Sequence, residues 1–338
     1  MRSPIRTAVV LAVAAALVVV FLRNVDLQSV TREIVHARAR WLVVSLGTAV
    51  LSLAIRALRW QYLLEPLGRA RFGSTFRATA VGFAASTILP ARAGEVIRPY
   101  FLARQEKMTA TGAFATIVLE RVLDVLTVLV LLASFVFAFD SGVGAANGAA
   151  FEALKWAGGT ALAGAIVALA AMFVLAGDPG RIGRLMTRLE QAVPSTLAGL
   201  IARVAEKFSR GLGAVRRPGR LLVALVWSFP LWLSIAAGLW SVSQAFQITM
   251  PFSGSFLLIA LLVIGVAVPT PGAVGGFHYA YRFGATTFFG ASNSAAVGAA
   301  IVAHLLSQGP ALLLGLLFAA EVGLNLSGMR RLAEEARS

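Results

Sequence analysis

The sequence predicts an all-α polytopic membrane protein, with about six transmembrane helices and two re-entrant broken-helix hairpins arranged as inverted repeats. Three observations predict this fold. Of the 338 residues, 58% are hydrophobic and only 13% are charged, whereas soluble domains carry about 25% charged residues. Apolar stretches long enough to cross a bilayer recur along the chain, and two of them are broken by proline and glycine. Residues 1–338 are therefore expected to form a single integral membrane domain.

Six full crossings are predicted from stretches of about 20 mostly apolar residues. The first begins after Arg2 and Arg6 and resembles a signal peptide. No small-residue cleavage site follows its apolar core, so we expect an uncleaved span. The six crossings are placed at 6–23, 41–64, 110–139, 153–176, 220–246 and 292–325.

Two further apolar stretches are interrupted near their middle. The first covers 76–100 and is broken at 89–95, and the second covers 256–289 and is broken at 269–276. Because proline lacks a backbone donor, each stretch is predicted to form two half-helices that meet at an unwound tip. In lipid, such a tip needs protein or a water-filled cavity beside it. Interruptions in corresponding halves of a chain indicate the central site of a transporter.

The distribution of basic residues predicts the orientation. Segment 177–220 is rich in arginine and contains two amphipathic helical stripes, whereas 140–152 contains two acidic residues and no basic one. We therefore place 177–220 in the cytoplasm, on the anionic inner leaflet. The N-terminus and the tail 326–338 lie on the same side. Residues 24–40 fall outside and are predicted to form an amphipathic helix on the membrane surface.

The same order of elements is predicted in both halves: crossing, surface helix, crossing, broken hairpin, crossing. Residues 6–139 follow this order from the inside, and residues 153–325 follow it from the outside. Trp60 precedes the first tip at nearly the spacing by which Trp240 precedes the second. The halves are thus predicted to be inverted repeats whose tips meet near the midplane. The alternative is a coincidental division of a six-span protein.

Charged residues at the first tip predict an anion site. A half-helix that starts after Pro90 directs its positive end and free amides at the tip, where Arg92 and Arg98 add two guanidinium groups. Such a site attracts a phosphate or another anion. Glu95 and Arg98 are three residues apart, so they share a helix face and can pair.

The crossing at 110–139 carries Glu120, Arg121 and Asp124 near the midplane, where ionisable groups are costly unless paired or hydrated. Arg121 can reach Asp124, and Glu120 is expected to face the cavity of the first tip. The alternative is that such groups are structural ion pairs between helices. Arg56 and Arg59 lie near the cytoplasmic end of their crossing, where they can extend to the surface, and structural ion pairs between helices are weighed for them as for Arg121 with Asp124.

The second tip supplies the remaining candidate residues. His278 stands just beyond the unwound backbone and is weighed as functional, whereas His304 on an apolar face is expected to be a satisfied core histidine. Glycines at this tip permit conformations that a Cβ forbids, with close packing as the alternative. The binding residues predicted here are Pro269, Pro271, Gly272, Gly275, His278 and Arg282.

Several functional classes are not expected. The net charge of +15 comes mostly from arginine, but no basic stretch is interleaved with stacking aromatic residues, so nucleic-acid binding is not indicated. Without cysteine, thiolate metal sites and thiol catalysis are excluded. We expect no cofactor and no metal.

These motifs resemble a known family. Residues 89–95 with Arg98, then 120–124, then 269–272 with Gly275, are similar to the motifs of the flippase-like membrane region of lysylphosphatidylglycerol synthases. The resemblance implies a multi-pass protein of the bacterial inner membrane that moves lipids or lipid-linked intermediates between leaflets. Ser86 and Thr87 stand where relatives often have asparagine, and His278 where they often have glutamate. The aminoacyl-transfer domain is not found, so lysine transfer is not expected.

The function expected from this resemblance is transport of an anionic lipid or a polyprenyl-phosphate-linked intermediate. The arginines would hold the head group, and the acids and His278 would relay protons. One alternative is a non-catalytic membrane partner of a glycosyltransferase or envelope complex. Another is a membrane-embedded lipid-modifying enzyme, which the lack of recognisable catalytic motifs disfavours.

Overall fold

A computed structural model of the protein describes residues 18–19, 21, 25–89, 93–139, 148–177, 218–267 and 270–321. Most of the predicted crossing 6–23, nearly all of the basic segment 177–220, and the tail 326–338 lie outside these residues. The same holds for Pro90, Arg92 and Pro269. The described chain is helical and contains no strand.

Ten helices have their bounds within the described residues. They are α1 (Leu27–Val35), α2 (Ala39–Leu64), α3 (Phe72–Ile88), α4 (Gly94–Glu106), α5 (Ala110–Ser134), α6 (Gly148–Gly177), α7 (Pro218–Ala245), α8 (Gly254–Gly265), α9 (Gly276–Phe289) and α10 (Asn293–Glu321). Short 3₁₀ turns at Glu65–Leu67 and Pro271–Ala273, and a π-helical stretch at Phe135–Phe139, complete the order.

Four helical stretches in the described ranges are long and apolar enough to cross a membrane, namely Ala39–Leu67, Phe151–Ala171, Gly219–Ala245 and Asn293–Glu321. They match four of the predicted crossings. Helix α5 has 25 residues, roughly 38 Å at about 1.5 Å per residue, so its length also suffices, although its central turns are charged. The all-α polytopic membrane fold is confirmed. The count of six crossings and the re-entrant course stay predictions.

Helix α1 is the amphipathic helix predicted within 24–40. Its N-cap Asp26 accepts hydrogen bonds from the Ser29 hydroxyl (2.6 Å) and the Gln28 N–H (3.0 Å). These bonds lower the pKa of the Asp26 carboxyl, the Ser29 hydroxyl having the larger effect. Val30 is buried against the core while Leu27 is exposed. The helix packs on α10; its position on the outer membrane surface stays a prediction.

Each broken segment is a pair of half-helices closed by glycine. We call α3 and α4 the first broken segment, and α8 and α9 the second. In the first, a Cβ placed at Gly94 would overlap the carbonyl oxygen of Gly82. In the second, a Cβ at Gly276 would overlap the carbonyl oxygen of Gly265. The two half-helices of each segment are therefore in backbone contact, which residues larger than glycine would prevent.

The core is built around α2 and α7, which pack along much of their length, while α10 packs on α3. The ends of the two broken segments touch, because a methyl group at Gly272 would lie 3.4 Å from Cγ2 of Thr87. Among the described helices, α2 to α5 and α7 to α10 follow the same order, a long helix, two half-helices and a long helix. The inverted repeats at 6–139 and 153–325, and the depth of the tips in the bilayer, stay predictions.

Candidate functional site

Six charged side chains from three helices meet inside the protein. Arg56 and Arg59 come from α2, and Arg98 from α4. The other three are the α5 residues Glu120, Arg121 and Asp124, and we call the six together the ionic cluster. The side chains of Arg59 and Glu120 are fully buried. Ionisable groups at such depth cost several kcal/mol each unless they are paired, so pairing decides whether this region folds.

Glu120 is the anchor of the ionic cluster. Its Oε1 and Oε2 accept from Nη1 and Nη2 of Arg98 at 3.0 and 3.3 Å, a two-pronged contact. Arg121 Nη2 lies 3.1 Å from Oε1, and one nitrogen each of Arg56 and Arg59 lies 3.5 Å from it. Four guanidinium groups thus surround one carboxylate. The bond between Arg98 and Glu120 was not predicted from the sequence, where Arg98 was said to be able to pair with Glu95.

Asp124 is the second anion of the cluster. Its Oδ1 accepts from Arg59 Nη1 at 2.7 Å and from Trp232 Nε1 at 3.0 Å. Arg121 Nη1 lies 3.5 Å from Oδ2, so the predicted pairing of Arg121 with Asp124 is confirmed. Arg59 also donates to the Ser228 hydroxyl at 2.7 Å, which connects α7 to the cluster.

The structural ion pairs between helices that were weighed for Arg56 and Arg59 are confirmed. Their side chains are 9% and 0% exposed and face the α5 carboxylates. The other possibility, extension to the membrane surface, is not observed, because the two guanidinium groups have their partners inside the protein. Arg56, Arg59 and Trp60 share one face of α2 by their spacing, and that clustering was the signal available in the sequence.

Trp60 fixes the position of Arg98. The guanidinium carbon of Arg98 lies 4.0 Å from the centre of the Trp60 ring, a cation–π contact that stabilises a desolvated arginine by about 2 kcal/mol. Trp60 Nε1 donates to the Thr116 hydroxyl at 2.9 Å, which holds the ring. Sequence reasoning missed the part played by Trp60, Trp232 and Ser228, since their partners lie far along the chain.

A cavity of about 530 Å³ adjoins the ionic cluster, and we call it the central cavity. Both broken segments border it, together with α5 and α7. Five predicted site residues line it: Glu95, Arg98, Arg121, Asp124 and Gly272. The side chain of Arg121 is 39% exposed although it lies in the middle of a membrane-length helix. Glu120, fully buried, does not line the central cavity and stands behind these arginines.

The ionic cluster beside the central cavity has an excess of positive charge. Counting only the described side chains, four arginines of the ionic cluster face Glu120, Asp124 and the nearby Glu95, which acts electrostatically on Arg121. Nε of Arg98 and Nε of Arg121 are buried without a hydrogen-bond partner. An unpaired donor in a low-dielectric site costs about 1–3 kcal/mol. An anion beside Arg98 and Arg121 would offset the excess charge of the ionic cluster.

The second tip places its candidate residues away from this charge. His278 Nδ1 accepts from the Gly275 N–H at 3.3 Å, and its ring lies 4.6 Å from that of His304. His304 Nε2 donates to the Gly272 carbonyl at 2.7 Å, which confirms a satisfied histidine. Arg282 donates to the carbonyl of Phe21. Among the described residues of this tip, Pro271, Gly275, His278 and Arg282 do not line the central cavity.

Metal binding finds no support in the described ranges, where no three His, Asp or Glu side chains are arranged to hold an ion. The polar side chains that line the central cavity supply ionic and hydrogen-bonding groups. Guanidinium groups bind phosphate through two parallel N–H donors. The site is suited to hold an anionic group inside the membrane.

Two relatives match parts of the chain. A UPF0104 membrane protein of Methanocaldococcus jannaschii is 24% identical over 122 residues, which make up 35% of this chain and 36% of that protein. The glycosyltransferase AglD of Haloferax volcanii is 31% identical over 80 residues, 23% of this chain and 13% of that protein. The matched regions thus span only about a third, or less, of these relatives' lengths.

The family comparison covers far more of the sequence. The family described as "Lysylphosphatidylglycerol synthase TM region" matches residues 7–315, which include the ionic cluster and both broken segments. The resemblance predicted from three short motifs is confirmed. By this match, the chain belongs to the family of the lysylphosphatidylglycerol synthase transmembrane region.

Proposed function

We propose that the protein moves an anionic lipid, or a polyprenyl-phosphate-linked intermediate, between the leaflets of a bacterial inner membrane, with both termini in the cytoplasm. The observation that carries the proposal is the excess of guanidinium groups in the ionic cluster beside the central cavity. A lipid head group fits such a site, because it must leave water while its chains stay in the bilayer.

The size of the central cavity supports a head group as the ligand. At about 530 Å³ it falls in the range of roughly 300–1,000 Å³ that is typical of small-molecule sites. This volume takes a phosphate with a substituent but not a whole lipid. The hydrocarbon chains therefore remain outside, against the apolar surfaces of the helices.

The members of the ionic cluster have different parts in this proposal. Arg121 is the most exposed guanidinium group of the cluster, and with Arg98 it contacts the phosphate. Glu120 is a positioning residue, since it binds Arg98 and Arg121 from behind. Arg59 and Asp124 connect α2 and α7 to the cluster, so movement of these helices would change the site.

The contact between the two broken segments provides the moving part. Thr87 and Gly272 touch at the edge of the central cavity. Gly272 and Gly275 have positive φ angles of 59° and 89°, which glycine adopts at little cost. A head group would pass between the two tips if they part on one side and close on the other.

Transport by the purified protein tests the proposal. In liposomes containing fluorescent phosphatidylglycerol, we expect Arg121→Gln to reduce transport at least about tenfold, because a charge-assisted contact contributes roughly 1.5–3 kcal/mol. Arg121→Lys should restore it only in part, since lysine loses the two-pronged geometry. The matched control is Arg104→Gln, an exposed arginine on α4. Undiminished transport by a well-folded Arg121→Gln protein would remove the anion-site argument.

A second candidate function is a non-catalytic partner of a glycosyltransferase, and the match to the glycosyltransferase AglD favours it. In that case the site would hold a lipid-linked sugar donor for an enzyme rather than release it. The same liposome assay separates the two functions. If the protein is a non-catalytic partner, the purified protein with Arg121 intact would bind the anionic lipid but would not move it between leaflets.

A further inference from the structure

A second, smaller cavity of about 270 Å³ adjoins the central cavity, and we call it the hydroxyl cavity. It lies between α2, α7, α8 and α10. Both cavities share five wall residues: Phe83, Trp232, Val263, Val266 and Gln308. A group that leaves the central cavity past Phe83 and Trp232 enters the hydroxyl cavity, so the two can be occupied by adjoining parts of one ligand.

One wall of the hydroxyl cavity is a row of hydroxyl groups. Ser45, Thr48 and Ser52 are three and four residues apart on α2, and Arg56 follows at the next turn. This spacing places all four on one helix face. The row therefore runs along α2 and ends at the ionic cluster, which Arg56 joins. Ser234 of α7 and Ser307 of α10 line the same cavity.

Four of these five hydroxyl groups already donate their protons within their own helices. Thr48 Oγ1 donates to the Ser45 carbonyl at 2.8 Å, and Ser52 Oγ donates to the Ala49 carbonyl at 2.8 Å. Ser234 and Ser307 donate in the same way, at 2.6 and 3.1 Å. A hydroxyl has one proton and two lone pairs. The oxygens of Thr48 and Ser52 in the row are thus left as acceptors, and a ligand group bound to them must donate.

The opposite wall is apolar. Ile259 and Leu262 of α8 line it, and the aromatic rings of Phe83 and Trp232 stand where the two cavities join. A polyhydroxyl group, such as a sugar ring or a glycerol, presents donors on its edge and C–H groups on its faces. It satisfies both walls at once. The volume is several times the roughly 30 Å³ that a water molecule occupies, which is room for a group of monosaccharide size.

An ammonium group also donates hydrogen bonds, but charge excludes it here. The hydroxyl cavity ends at Arg56, and the described part of the ionic cluster has more guanidinium groups than carboxylates. A second cation in this low-dielectric region would be repelled. A neutral donor is favoured over an aminoacyl or ethanolamine substituent.

Building on the transport function proposed above, we propose that the hydroxyl cavity binds a neutral polyhydroxyl group attached to the phosphate that the arginines hold. The substrate class is then a phosphodiester lipid whose head group ends in a sugar, glycerol or inositol. Two carriers have this chemistry, a glycerophospholipid and a polyprenyl phosphate.

Binding to the purified protein in detergent, measured by native mass spectrometry, tests the inference. Short-chain phosphatidic acid is compared with phosphatidylglycerol, phosphatidylinositol and phosphatidylethanolamine of the same chains. Farnesyl phosphate is compared with its hexose phosphodiester. We expect at least one lipid with a polyhydroxyl head group to bind about tenfold more tightly than the bare phosphate on the same carrier. Phosphatidylethanolamine should bind more weakly than that polyhydroxyl lipid. The carrier that gives the tighter complex identifies the source.

A double variant removes two hydroxyl acceptors and changes the shape of the cavity wall little. Thr48→Val with Ser52→Ala should abolish the preference for polyhydroxyl head groups and leave phosphatidic acid affinity within about twofold. The matched control is Thr160→Val on α6, an exposed threonine that also donates to its own helix, to the carbonyls of Trp156 and Ala157. This control should keep the preference.

Each other outcome counts against a defined claim. The inference is overturned if the wild-type protein shows no head-group preference, prefers ethanolamine, or keeps its preference in the Thr48 and Ser52 variant. The inference is also overturned if lipid affinity depends on the length of the hydrocarbon chains alone and this dependence is lost in the Thr48 and Ser52 variant. The cavity would then bind hydrocarbon. If Arg121→Gln leaves phosphatidic acid affinity unchanged, the proposed function itself fails. Failure of the hydroxyl cavity is seen separately, as a loss of head-group preference with phosphatidic acid affinity still dependent on Arg121.

Discussion

The two broken segments share a backbone plan but differ in charge. A Cβ at Gly82 in the first segment would lie 2.7 Å from Cβ of Arg98, and a Cβ at Gly265 in the second would lie 2.7 Å from Cβ of Ala280. Arg98 and Ala280 each stand four residues after the second glycine of their pair. At this equivalent position the first segment has the buried cation of Arg98, and the second has the methyl group of Ala280.

The difference continues at the tips. The second tip contains three residues with positive φ, namely Gly272, Ala273 and Gly275, and alanine adopts this conformation only at a cost. His304 on α10 holds that backbone through the Gly272 carbonyl. The first segment supplies charge through Arg98, whereas the second supplies a shaped backbone and the apolar side of both cavities. A site built this way has a polar and an apolar half, as a lipid head group and its chains require.

The largest effect is expected from closing the space between the half-helices. Gly94→Ala and Gly276→Ala each place a methyl group on a facing carbonyl oxygen, and the backbone of a paired helix cannot move away cheaply. Overpacking of this kind costs about 3 kcal/mol or more. We expect both variants to lose most of their monodisperse yield in fluorescence-detected size-exclusion chromatography.

The control is Gly73→Ala on α3, where a methyl group has no neighbour within 4 Å. It should leave yield unchanged or raise it, because alanine favours helix. Tolerance of Gly276→Ala beside failure of Gly94→Ala would mean that the two segments are not closed in the same way. The two broken segments would then share the order of their elements along the chain but not their backbone packing.

A cross-link between the two tips should stop transport while leaving the fold intact. The structure points to Thr87→Cys with Gly272→Cys, since a Cβ at Gly272 would lie 3.4 Å from Thr87 Cγ2, and the sulfur of a cysteine at 87 can occupy the place of that atom. We expect oxidation to reduce lipid transport in liposomes at least about tenfold and reduction to restore it. Single-cysteine variants provide the control. Efficient cross-linking with undiminished transport would show that the tips need not part.

Local signals in the sequence predicted the elements, and partners distant in sequence decided the site. Proline and glycine close together favour a break in a helix, so both broken segments were predictable. The bond between Arg98 and Glu120 joins residues 22 apart, and that between Arg59 and Asp124 joins residues 65 apart. Such pairings depend on how helices pack, which periodicity does not reveal.

The two possibilities left open for Arg56 and Arg59 have the same origin. Near the end of a crossing an arginine can extend to the surface or pair inside the protein, and the sequence alone does not decide between them. Partners on α5 decided it, because two carboxylates there offset the cost of burying the guanidinium groups. The charged face of α5 was visible in the sequence, but its facing helix was not. Arg98 lines the central cavity, and its bond to Glu120 was not predicted.

The smallest effect concerns the bond that shapes the second tip. His304→Phe keeps a ring of similar size but removes the donor to the Gly272 carbonyl, and such a hydrogen bond contributes about 1 kcal/mol. Local opening should then become roughly fivefold more frequent, because 1.4 kcal/mol corresponds to a factor of ten. We expect hydrogen exchange to rise at 270–276 and to stay unchanged at 86–89, since the first tip has its own supports.

Leu305→Ala serves as the control, because Leu305 is 65% exposed on the same helix and does not bond the tip. If exchange rises equally at both tips in His304→Phe, the tips open together, and the two broken segments act as one unit through the contact of Thr87 with Gly272. If it rises at the second tip alone, that tip has its own conformational freedom. Its positive-φ residues then provide the movement, while the first segment, held by Glu120 and Trp60, keeps the phosphate-binding arginines in place.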